Sequence, residues 1–182
     1  MKKIIVIIVI LIGAVVLFYT LRNNASNETG TPVVDKNGVF RPDPSNATFT
    51  FYDGPITLSA GRNEREIAPG SAFTEETILM DKFAYGDINA DVKEDTILLL
   101  ARYGAGSGTF IYVATFVSGP VTYRGSGAIY IGDRISPQSI SINGGIVTVE
   151  YLDREIDESL AVEPTVPTSK QFVYRNGEFQ ER

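Results

Sequence analysis

The sequence contains no cysteine, no histidine and no tryptophan. Without cysteine there are no disulfides, no thiolate nucleophile, no zinc-thiolate site and no lipid attachment at an N-terminal cysteine. Without histidine the commonest general base and the commonest imidazole metal ligand are gone, and with them Ser-His-Asp hydrolysis and most zinc chemistry. Positive charge is also scarce beyond the N-terminus. Setting aside Lys2, Lys3 and Arg22 leaves 13 basic residues against all 22 acidic ones, a balance of −9. Such a surface is repelled by phosphate backbones, which argues against a nucleic-acid partner.

What is present begins with a long apolar run. Ile4 to Leu21 holds no charge, and fourteen of its 18 residues are Ile, Val, Leu or Phe. As a helix it extends about 27 Å, close to the hydrocarbon thickness of a bilayer. A cleaved signal would have a shorter apolar stretch and a small-x-small site; Tyr19-Thr20-Leu21-Arg22-Asn23 provides none. The reading is an uncleaved single-pass anchor over 4–21 that makes the membrane a partner, with a cytoplasmic tail over 1–3. Lys2 and Lys3 against Arg22 place the rest outside the cytoplasm, at the cell membrane. Residues 22–46, rich in Asn, Ser, Thr, Gly and Pro, read as a flexible linker. The domain proper is expected over 47–182.

That domain reads as all-β. Short alternating segments recur at 48–51, 56–58, 77–85, 96–103, 109–117, 128–131, 139–142, 146–151 and 171–174, each bounded by turn residues. Asn143-Gly144-Gly145 and Asn176-Gly177 are hairpin signals. About nine short strands in sequential hairpins predict an antiparallel meander closing as a sandwich or barrel. The only helix expected after the anchor is a short one over 71–77, with Glu75 and Glu76 in its first turn. Residues 153–167 form a long acidic loop. Gly104 to Gly108 lies between two strands and therefore reads as a hairpin loop, not a phosphate cradle.

One local motif carries chemistry. In Gly86-Asp87-Ile88-Asn89-Ala90-Asp91-Val92-Lys93-Glu94-Asp95, the side chains of Asp87, Asn89, Asp91 and Asp95 occupy positions 1, 3, 5 and 9 of a calcium loop. The Lys93 carbonyl would supply position 7 of an all-oxygen shell, making Ca²⁺ the candidate cofactor. The segment resembles the D-x-[DN]-x-D loops of FG-GAP repeats and dockerins. Val92 stands where position 6 needs a left-handed backbone, and Leu98 replaces the bidentate Glu of an EF-hand. The competing reading is an acidic turn whose Asp and Asn side chains bond their own backbone.

On a larger scale, Ala68-Pro69-Gly70-Ser71-Ala72, Gly86-Asp87-x-Asn89, Glu94-Asp95, Gly106-Ser107-Gly108-Thr109-Phe110 and Ile131-Gly132-Asp133-Arg134 resemble a group of bacterial membrane-anchored or exported small β-domain proteins of no assigned activity. The resemblance implies an exported β domain over residues 50–180, with Gly usual where this chain has Ala90 and Val92.

Three functions follow as expectations. The first is a non-enzymatic binding or structural module meeting an envelope polymer or a protein partner. The second is a carboxylate-dependent glycan hydrolase, built on a pair such as Glu75/Glu76 or Asp157/Glu158. The third is a calcium-dependent adhesion or surface-binding module. Tyr85, Tyr103, Tyr112, Tyr123 and Tyr130 could form a carbohydrate platform, although on alternating strands most should pack into the sheet.

Overall fold

The computed structural model describes residues 33–34, 38–104 and 106–182, so the expected anchor lies outside the described residues. Those residues contain strands and turns and no helix. Two short pieces, β1 (Val33–Val34) and β2 (Phe40–Arg41), pair with each other. They are followed by a hairpin of β3 (Thr48–Phe51) and β4 (Gly54–Thr57).

The largest sheet then runs as a meander through β5 (Arg62–Glu66), β6 (Thr74–Gly86), β7 (Asp95–Tyr103) and β8 (Thr109–Val117). Its far edge is shared by β9 (Arg124–Gly125) and β10 (Ile129–Asp133), both paired to β8. A second meander follows in β11 (Ser136–Asn143), β12 (Ile146–Asp153), β13 (Val166–Arg175) and β14 (Glu178–Glu181). Every strand pair is antiparallel, as the alternation predicts. Among the described residues the strands number fourteen, more than the nine that stand out by alternation.

The continuous apolar run in β7 has a structural cause. Ile97, Leu99 and Ala101 pack with Val147, Val149, Tyr151 and Phe172 of the second sheet. Leu98 and Leu100 face the other way and meet Phe49, Phe51, Ile56 and Leu58 of the β3–β4 hairpin. A strand covered on both faces has no solvent side, so polar alternation would bury unpaired groups. The result is three layers: hairpin, main sheet, second sheet.

The hairpin is fixed to the main sheet by backbone as well as by packing. Thr50 donates its N–H to the Ser126 carbonyl at 3.1 Å, and its own carbonyl accepts from Ala128 at 2.8 Å, forming a parallel bridge at Gly127. Gly125 allows this approach, because a Cβ there would lie 2.1 Å from the Thr48 carbonyl oxygen.

Three expectations need correction. Residues 71–77 are not helical; Thr74 begins β6, which pairs with β5. β5, Arg62-Asn63-Glu64-Arg65-Glu66, has no apolar alternation to mark it in the sequence. Opposite charges across the ladder hold it instead, with Arg65 on Glu75 and Arg62 on Glu76. The acidic loop is also shorter than 153–167, since β13 already starts at Val166.

The ordered domain also begins ahead of residue 47. Pro42 and Pro44 are buried. The Pro42 carbonyl accepts from the Thr96 hydroxyl at 2.7 Å, and Arg41 donates to both Glu94 oxygens at 2.6 Å. The proline content that suggested a linker belongs, at these positions, to a docked strap.

Double coverage of β7 has a measurable consequence. Leu98→Ala and Leu99→Ala should each cost about 2–5 kcal/mol, because neither side chain faces water. A urea midpoint that moves for only one of the two would show that one face of β7 is open.

Candidate functional site

The acidic loop joins β6 to β7, and its polar side chains turn inward on its own amides. Asp87 Oδ1 accepts from Ala90 at 2.7 Å and from Asp91 at 3.2 Å, and its Oδ2 accepts from Val92 at 2.8 Å. Asn89 Oδ1 accepts from the Asp91 amide, and Asp91 Oδ1 from the Lys93 amide. Ala90 and Val92 take φ of 64° and 69°, the left-handed conformation of a calcium loop's sharp turns.

Ser118, at the end of β8, gathers the remaining groups. Its hydroxyl donates to Asp91 Oδ2, its carbonyl accepts from Asn89 at 3.0 Å, and its amide donates to Asp95 Oδ1 at 2.8 Å. Asp95 Oδ2 accepts from Ile88 at 3.0 Å. Asp95 is fully buried, and burial pushes its carboxyl up, with the Ser118 and Ile88 amides pulling the other way. The Ser118 hydroxyl, more than any other group, lowers Asp91. Lys93 extends its ammonium to the Gly119 carbonyl at 3.3 Å. Thus Asp87, Asn89, Asp91, Lys93 and Asp95 do share one loop. Yet among the described residues no three His, Cys, Asp or Glu side chains converge as metal ligands.

A second polar centre was not legible as a motif. Arg102 of β7 has only 3% of its side chain exposed. It donates to Asp53 Oδ1 at 2.9 Å and Oδ2 at 2.6 Å, and to Glu75 Oε2 at 2.6 Å. Arg65 of β5 completes a four-charge cluster by reaching the same two carboxylates. The Phe51 ring lies 4.8 Å from the Arg102 guanidinium. Hydrogen bonding to Arg102 is the largest influence on Asp53, and it holds that carboxyl at about 2, against the opposing effect of burial. The partners sit 49 and 27 residues from Arg102 in sequence, so no local spacing betrays them.

The proposed hydrolase pair Glu75/Glu76 is not brought together. Glu75 turns to Arg102 and Arg65, while Glu76 turns to Arg62. Asp157 stays exposed, and Glu158 turns its carboxylate to the Glu155 amide. The tyrosines do not form one platform. Tyr112 packs edge-on against Phe51 and Tyr130, whereas Tyr123 lies by Phe40 and Phe116, and Tyr85 under Arg41.

A cleft of about 340 Å³ lies over Gln138, Glu150 and Pro167, and three others lie where β13–β14 approaches β9 and the acidic loop. A cleft of about 370 Å³ is lined by Val117, Arg124, Gly125, Tyr174, Glu178 and Phe179. A second, of about 420 Å³, is lined by Asn89, Asp91, Lys93, Pro120, Arg124 and Tyr174. A third, of about 300 Å³, includes Ile88, Gly145, Tyr174, Arg175 and Arg182. All three share Tyr174, whose hydroxyl meets Arg124 at 3.3 Å. Asn176 and Gly177, with φ of 53° and 83°, form the tight turn that places Tyr174 beside these clefts. Sequence reasoning marked the turn but not the tyrosine.

Compared with family models, curated proteins and solved structures, the chain finds no match.

Two sets of measurements probe these centres. Arg102→Met should cost about 3 kcal/mol, because it leaves Asp53 and Glu75 with Arg65 as their remaining cation. Because Asp53 is depressed in the fold, its contribution is complete above its ordinary range and is lost as pH falls from about 4 towards 2. Asp95, shifted up, acts with the opposite sign. Asp53→Asn should therefore flatten specifically the destabilising acid limb in urea titrations. In the acidic loop, Val92 is 93% exposed, so Val92→Gly relieves left-handed strain without losing burial and should gain about 0.5–1 kcal/mol. Excess Ca²⁺ should leave the thermal midpoint of the full chain unchanged, whereas a bound cation at 100-fold over Kd would add about 2.7 kcal/mol.

Proposed function

We propose that this chain is a non-enzymatic binding module, tethered by residues 4–21 at the cell membrane, whose β domain meets a cell-envelope polymer outside the cytoplasm. The observation that carries this reading is the set of three clefts meeting at Tyr174. They form a branching, solvent-open surface suited to an extended ligand. The carboxylates best placed for acid-base chemistry point away from catalysis. Asp53 and Glu75 are clamped by two arginines, and Asp53 is held ionised, where a general acid needs a raised carboxyl. The anchor reading rests on the uninterrupted apolar run, and the outward orientation on Lys2 and Lys3.

The test uses the full chain in non-ionic detergent with isolated cell-envelope material. Co-sedimentation without release of reducing ends is the expected result. Release of reducing ends that disappears in Asp53→Asn or Glu75→Gln would replace the binding reading with the hydrolase. For the address, externally added protease should degrade the domain in intact spheroplasts; full protection would reverse the orientation.

A further inference from the structure

The arginines of this acidic domain fall into two groups. Arg41, Arg62, Arg65, Arg102 and Arg134 each meet a carboxylate, and Arg154 is committed to the carbonyls of Arg134 and Val162. Arg124, Arg175 and Arg182 meet no carboxylate among the described residues. Arg124 has only the 3.3 Å contact with the Tyr174 hydroxyl, and Arg182 only a 3.4 Å contact with the Gln171 side chain. These three are the arginines that line the clefts around Tyr174, with Lys93 on the same walls. Asp91 and Glu178 also line them; Asp91 is engaged by the Ser118 hydroxyl, the Lys93 amide and, at 3.9 Å, the Lys93 ammonium, so the arginines carry the cationic character of the clefts. Among the described residues of a protein with 22 acidic side chains, the guanidinium groups that meet no carboxylate are thus gathered around Tyr174.

Resting on the binding reading above, we propose that the groove through Tyr174 recognises an acidic polysaccharide. Each exposed guanidinium offers a planar fork that matches a carboxylate on the ligand. Tyr174, partly exposed where the clefts meet, offers a ring face for a sugar between them. Because the cations occupy separate clefts, the groove fits a ligand whose charges repeat along a chain better than one carrying a single charge. The negative remainder of the domain repels such a polymer everywhere else, which confines it to this groove.

The experiment measures binding of the full chain in non-ionic detergent to polygalacturonate, to dextran and to polyglutamate, at two salt concentrations. Polygalacturonate should bind, weaken with salt, and exceed both other polymers by roughly tenfold or more. The variant Arg124→Glu/Arg175→Glu should lose roughly tenfold or more, and Lys82→Glu, with the same charge change per site away from the groove, should bind as the parent does. Thermal midpoints confirm that both variants are folded. Equal loss in Lys82→Glu, or no loss in the double variant, overturns the site. Dextran binding as tightly overturns the acidic specificity while leaving the polymer-binding reading in place, and polyglutamate binding as tightly overturns the sugar component. Co-sedimentation with envelope material but no binding to polygalacturonate overturns this inference alone. Failure to bind envelope material as well overturns both.

Discussion

A guanidinium cannot be withdrawn from water unless its charge is met, and the arrangement of the outer hairpin over the main sheet depends on meeting it at Arg102. The residue sits on β7 with its side chain almost wholly buried. Its compensation comes from Glu75 on β6 and from Asp53 in the turn between β3 and β4. The turn is therefore held where it is by charge, and the hairpin follows it across Leu98, Leu100 and Tyr112. Arg65 adds the edge strand β5 to the same cluster. One buried cation thereby connects β5, β6 and β7 of the main sheet with the β3–β4 turn. Replacing such a cluster by apolar groups can be neutral in energy, but removing one member is not.

How much of this was legible depends on what each element uses to hold itself. Strands with apolar faces were readable: Ile97 to Ala101 announced a buried strand, and Asn143-Gly144 and Asn176-Gly177 announced their turns, because the information is local. β5 was not readable. Its partners are charges on β6 that matter only once the ladder has formed, and Arg62-Asn63-Glu64-Arg65-Glu66 in isolation resembles a solvated loop. Glu75 and Glu76 misled in the same way. As neighbours they suggested a helix start or a catalytic pair, but on a strand they point to opposite faces.

The two candidate sites divide along similar lines. The acidic loop was visible from its spacing, and its residues do converge, yet their convergence is with backbone amides and with Ser118, which no spacing rule links to Asp87. The groove at Tyr174 was not visible, since Lys93, Arg124 and Arg175 belong to the β6–β7 loop, to β9 and to β13, far apart in sequence. Only the folded chain reveals that the two guanidinium groups meet no carboxylate among the described residues, while Lys93 lies 3.9 Å from Asp91. In an acidic protein the informative residues are the cations left over after the ion pairs are formed.

The strap at residues 41–44 bears on mechanics. A pull on the chain from its N-terminal side that has passed the β1–β2 ladder is resisted by the Arg41–Glu94 pair and by the Thr96 hydroxyl on the Pro42 carbonyl. Both lie at the start of β7, the strand buried on both faces. Tension is thus delivered to the most deeply packed part of the sheet and not to a free edge that could be unzipped one bond at a time. A domain loaded in this way resists by shearing many contacts together, and the two-residue ladder of β1 and β2 ahead of it can yield without exposing any of the core.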